Sequence, residues 1–150
     1  MARQSTYYRI LEYVHEQVQA LDLEGIPATQ VYRRKLATDR NTTLPACIVA
    51  MPANAVPSYE YASNEREDVG FPVLVVFLKA SNQDLDLDAV AMAWQETAMS
   101  KCRDIFRIPQ TFVWNNRIEP LPVLDSDLFL DKNLDVGGFT VRFLSREPRG

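Results

Sequence analysis

The chain has 150 residues, 47% of them apolar, and sets 16 Lys and Arg against 20 Asp and Glu for a net charge of −4. That length suits one domain, residues 1–150, whose core needs no metal or disulfide staple, and the acidic balance is not the basic footprint of a free-standing nucleic-acid binder. One histidine, two cysteines and five glycines leave little material for metal, triad or phosphate-loop chemistry.

Residues 4–22 open the chain with Tyr7, Leu11, Val14, Val18 and Leu21 at spacings of three and four, one stripe of a helix that Ile10 widens. Ser5 is its expected N-cap, and Gly25 followed by Pro27 ends the segment. Gln30–Leu36 (QVYRRKL) reads as a strand or extended arm. Leu44–Pro52 (LPACIVAMP) reads as a short buried strand pinned by a proline at each end.

Residues 53–68 are polar, and Tyr59 and Tyr61 alternate with polar neighbours. With turn-formers Ser63 and Asn64 in the middle, this predicts a long projecting hairpin over Val56–Asp68 whose second arm runs into Val69–Ala80 (VGFPVLVVFLKA). That central strand is apolar on both faces, so both need cover, from helices or from another subunit.

Asn82–Asp88 supplies caps and negative charge for a long helix carrying Leu87, Val90, Ala91, Trp94, Ala98, Cys102 and Ile105, with Lys101, Arg103 and Arg107 near its end and Pro109 to stop it. Met92, Met99 and Phe106 make a second apolar stripe. Ile118–Asp125 holds two prolines and reads as an edge strand or extended segment. Ser126–Asp135 is an acidic loop around Leu128, Phe129 and Leu130. Val136–Glu147 alternates as a closing strand, with Gly137 and Gly138 suggesting a bulge at its start. The expected fold is α+β: a mainly antiparallel sheet, an N-terminal helix, a long central helix and a projecting hairpin.

The search for chemistry returns little. Zinc wants four ligands, and the chain has three Cys/His residues at unrelated positions. Asp84, Asp86 and Asp88 resemble the opening of a calcium loop, but Ala89 and Gln95 stand where that loop needs glycine and a carboxylate. Asp125, Asp127, Asp131 and Asp135 read as a solvated acidic loop. His15 lies beside the apolar stripe of the first helix and reads as structural. No nucleophile elbow or Gly-rich phosphate motif occurs, and no carboxylate pair stands out. Arg33, Arg34 and Lys35 form a local basic cluster in which alternation turns Arg34 away from the other two. Cys47 and Cys102 both fall in apolar runs and read as buried thiols of a reducing compartment. The N-terminus lacks an uninterrupted apolar run, and no stretch is long enough to span a bilayer. The expectation is therefore a non-enzyme with no cofactor, metal or membrane partner.

What the catalytic reading leaves unexplained is surface: aromatic residues on a protruding polar hairpin, an apolar triplet in an acidic loop, and a doubly striped helix. Such material suits contacts between chains, and Tyr59, Tyr61, Arg66, Phe129 and Leu130 are the candidate interface residues.

The succession of an amphipathic N-terminal helix, VYRRKL, TLPACIVAMP, a long hairpin, DVGFPVLVVFLKA, a helix over Asp86–Arg107 and a closing VGGFTVRFLSRE resembles the tail-terminator and neck proteins of long-tailed bacteriophages, over about residues 4–146. The resemblance lies in element order and apolar pattern, and carries over no single residue. It implies a homo-oligomeric ring, six copies in that family, that caps the tail tube and meets the head-completion (connector) proteins. DNA would pass through the lumen unread, and an acidic protomer suits a bore that must not hold phosphates. The location implied is the virion tail or neck, after assembly in the host cytoplasm. The alternatives are another neck or tail-tube component such as a head-closure protein, and a small cytoplasmic enzyme or ligand-binding α/β domain.

Overall fold

In the computed structural model, residues 5–34, 42–52, 58–62, 66–80, 89–105, 108, 113–120 and 134–148 are described. They form α1 (Thr6–Gln19), a 3-10 turn (Ala28–Gln30), β1 (Val31–Arg34), β2 (Ala46–Ala50), β3 (Ser58–Ala62), β4 (Arg66–Ala80), α2 (Ala89–Asp104), β5 (Val113–Pro120) and β6 (Leu134–Pro148). The fold is α+β, with one mixed sheet ordered β1-β2-β4-β6-β5 and β3 added to β4. Among the described strands only β1 and β2 run parallel; every other pair is antiparallel.

The spine of the sheet is the β4–β6 ribbon, paired without interruption from Arg66 opposite Pro148 to Ala80 opposite Leu134. Fifteen residues of strand extend roughly 50 Å, about three times the reach of β2. The opposite edge of β4 is therefore shared: β2 pairs with Leu74–Leu78, and β3 pairs with Glu67–Gly70. Of the hairpin expected over Val56–Asp68, the described part is β3 antiparallel to the first residues of β4; residues 56–57 and 63–65 lie outside the described residues.

Ser5 caps α1 as the sequence suggests, its Oγ accepting from the Tyr8 N–H at 3.2 Å. The helix buries Ile10, Val14 and Val18, so Ile10 is on the centre line of its apolar face, with Tyr7, Leu11 and Leu21 packed at the flanks. Asp22 and Gly25 take positive φ just after the helix, the turn that brings the chain back toward β1.

Both helices lie on one face of the sheet. Their buried residues join Val31, Cys47, Val49, Val73, Val75, Phe77, Phe139, Val141 and Phe143 in a single core. The opposite face has a smaller cluster of Ile48, Ala50, Val76 and Leu78, flanked by Tyr32, Leu44, Leu74 and Val136. No described helix covers it.

Four expectations change. The strand expected over Ile118–Asp125 begins earlier, at Val113, and its described part ends at Pro120. It is an edge strand, as its prolines require. Gly137 and Gly138 do not form a bulge: both stay in register opposite Phe77 and Val76. The glycine is needed for close approach instead, because a Cβ on Gly138 would come within 2.2 Å of the Val75 carbonyl oxygen. Val90, expected in the buried stripe of α2, is 37% exposed, one turn before Trp94 begins the buried face. Finally, Tyr59 and Tyr61 do not keep strict alternation. A bulge at Glu60 sets them opposite consecutive β4 residues, Val69 and Asp68.

Candidate interaction surface

The candidate interface residues divide into two groups. Tyr59, Tyr61 and Arg66 belong to the β3–β4 hairpin, where Arg66 opens β4 opposite Pro148. They share one end of the ribbon: Tyr59 lies opposite Val69, Tyr61 opposite Asp68, and Arg66 opposite Pro148. Phe129 and Leu130, with most of the Ser126–Asp135 loop, lie outside the described residues, as do Asp84, Asp86 and Asp88. Of the other acidic candidates only Asp135 is described, in β6 opposite Lys79.

Of the polar side chains that the sequence singles out, His15, Arg33 and Arg34 are engaged within the chain, and Lys35 lies outside the described residues. The His15 Nε2 lies 2.8 Å from the Val31 carbonyl oxygen. A carbonyl can only accept, so Nε2 donates, and the single histidine pins α1 to β1. Arg33 lies on the helix side of β1, its guanidinium 4.9 Å from the Tyr8 ring centre and 3.8 Å from Glu12. Arg34 faces the other way and stacks over Tyr32 at 4.6 Å. The basic cluster is thereby split between the two faces and held by its own aromatic neighbours. Tyr32 also accepts a hydrogen bond from the Thr43 N–H, which lowers its phenol pKa by favouring the phenolate.

The two cysteines sit in the main core without a disulfide. Burial pushes Cys102 up to about 12. Burial, then the neighbouring Cys102, raises Cys47 as well. Neither thiol has the lowered pKa of a nucleophile. Among the described residues no three Cys, His, Asp or Glu side chains gather as a metal would need, and no described helix is long and apolar enough to cross a membrane.

Three polar contacts had not been anticipated. Gln95, buried in α2, accepts from the Gly138 N–H at 2.9 Å, which joins α2 to β6. Trp94 Nε1 donates to the Glu24 carbonyl at 2.7 Å, fastening α2 to the turn after α1. Tyr7 donates its hydroxyl to the Pro72 carbonyl, and its ring packs on Phe71 at 5.2 Å. Only Gln95 left a trace in the sequence: an amide on the same helix face as Trp94 and Ala98 asks for a buried partner.

No protein-family model matches the chain, and no curated protein sequence matches it.

Proposed function

We propose that this chain is a structural virion protein, a tail terminator or neighbouring neck component, that assembles as a homo-oligomeric ring on the end of a phage tail tube and meets the head-completion proteins. The observation that carries the reading is the placement of Tyr59, Tyr61 and Arg66 together on a hairpin at one end of a ribbon longer than the strands around it. Aromatic residues in such a position are suited to gripping a neighbouring chain. The element order, from N-terminal helix through hairpin and central helix to closing strand, fits the same reading. So does the internal employment of His15, Arg33 and both thiols, which leaves those residues in structural roles. The net charge of −4 suits a ring through which DNA slides.

Negative-stain imaging and light scattering of the purified protein test this. A ring, six-fold by the family resemblance, is expected. Replacing Tyr59 and Tyr61 by Ser together with Arg66→Glu is expected to lower the assembled mass while circular dichroism stays unchanged. A compact monomer for the unaltered chain, or an undiminished mass for the triple variant, overturns the assignment.

A further inference from the structure

The outer strands of the sheet differ in what keeps another chain from pairing with them. On one side β5 runs to Pro120, and its pairing shifts register between Asn115 and Arg117. β3, added to β4, has a register shift of its own at Glu60. Proline and bulges both stop a strand from templating a further one. β1, at the opposite side of the described sheet, has neither. Its four residues, Val31–Arg34, pair with β2 in unbroken register, and among the described residues no strand lies on their outer side. An edge of this kind offers its peptide groups to any strand that reaches it.

The peptide groups of Val31 are nevertheless taken. Its N–H donates to the Ala28 carbonyl in the 3-10 turn, and its carbonyl accepts from the His15 Nε2 at 2.8 Å. In a strand the N–H and C=O of one residue point the same way, and those of the next residue point the opposite way. Both Val31 groups therefore face away from β2, and Arg33 presents the next outward pair. A strand added to β1 would need the outward groups of both residues and would find only those of Arg33. Two hydrogen bonds are too few to hold it, since even a complete two-stranded hairpin is marginal in water. Half of this protection is local, from the turn three residues back. The other half comes from α1, sixteen positions away, where His15 stands between the buried Val14 and Val18.

We infer that His15 is an edge guard: by holding the Val31 carbonyl it keeps a second copy of this chain from extending the sheet through β1. The contact is autoinhibitory, because it fills an acceptor that strand addition requires. The inference stands on the sheet edge and does not depend on the ring reading. A ring closes at a fixed number of copies, whereas addition at an edge without closure keeps growing as concentration rises.

Light scattering and thioflavin T fluorescence at rising protein concentration test it. His15→Ala frees the Val31 carbonyl and is expected to start open-ended, thioflavin-positive growth at a concentration roughly five- to tenfold lower than the unaltered chain needs, the effect of one hydrogen bond. His15→Gln keeps a side-chain N–H at a similar reach and is expected to behave as the unaltered chain. Val14→Ala cuts the buried face of the same helix and is expected to lower the melting midpoint without bringing on growth. In the His15→Ala background, Arg33→Pro removes the remaining outward N–H and is expected to abolish growth. Growth unchanged by His15→Ala, or matched by His15→Gln or Val14→Ala, overturns the guard. Growth that survives Arg33→Pro in a chain still folded by circular dichroism overturns β1 as the edge that extends.

Discussion

The two faces of the sheet are built from the same strands and differ in what they bury. In β4 the odd residues Val69, Phe71, Val73, Val75 and Phe77 meet both helices and the aromatic side chains of β6. The even residues are Gly70, Pro72, Leu74, Val76 and Leu78, and their cluster involves no described helix. The lesson is that an apolar strand does not by itself say where its helices go. Aromatic bulk on one set of positions and glycine and proline on the other decide it, because a helix needs large side chains to fill the space beneath it.

The sharpest test of this contrast comes from cutting each face. Phe139, fully buried beneath the helices, should cost about 3–5 kcal/mol when replaced by Ala. Leu74→Ala on the other face should cost clearly less, because that side chain is only partly buried; urea denaturation compares the two. Equal losses would mean that both faces are packed alike.

The second test is alkaline pH, since Tyr7, Cys47 and Cys102 all belong to the helix side. Tyr7 is raised by burial from 10.0 to about 12, and Cys102 from 9.0 to about 12. Groups raised in this way are held neutral by the fold. Their contribution is complete below pH 9, where both folded and unfolded chains keep the proton, and is lost as pH rises toward 12, where only the unfolded chain releases it. Stability measured by denaturant titration should therefore fall over pH 9–12, and the double replacement of Cys47 and Cys102 by Ala should flatten that fall.

A smaller effect is expected at the join between α2 and β6. Gln95→Leu keeps the volume but leaves the Gly138 N–H without its 2.9 Å partner, at a cost of about 1–3 kcal/mol. Thermal melts would show it, and an unchanged midpoint would mean that the amide is not needed there. The smallest change belongs to Arg33→Ala. Its ion pair to Glu12 is solvent-exposed, and about 0.5 kcal/mol or less should be lost. A larger loss would make the Tyr8 stacking a true clamp on β1.

Much of the fold was legible along the chain. The α1 stripe with its Ser5 cap, the proline-bracketed β2 and the alternating close of β6 each carry a period and a stop signal. The errors came where a local signal had two meanings. Gly137 and Gly138 looked like a bulge because glycine marks both bulges and close approaches, and only the neighbouring Val75 carbonyl shows which applies. The start of β5 was missed because Val113–Arg117 (VWNNR) has no clean alternation, and its bulge explains why. The candidate site was half legible: Tyr59, Tyr61 and Arg66 belong to a real hairpin, but the Glu60 bulge sets the two tyrosines against neighbouring β4 residues.

By itself the sequence determined the inventory. A chain of 150 residues with one histidine, two cysteines and five glycines has little material for metal, triad or phosphate-loop chemistry. Periodicity placed its helices and most of its strands, because burial on one face writes itself into local spacing. Only the tertiary structure decided which sheet face the helices take, that β2 and β3 share one edge of β4, and that Tyr7 reaches the Pro72 carbonyl. Those outcomes depend on residues 65 positions apart, as Tyr7 and Pro72 are, and no local spacing records a contact of that range.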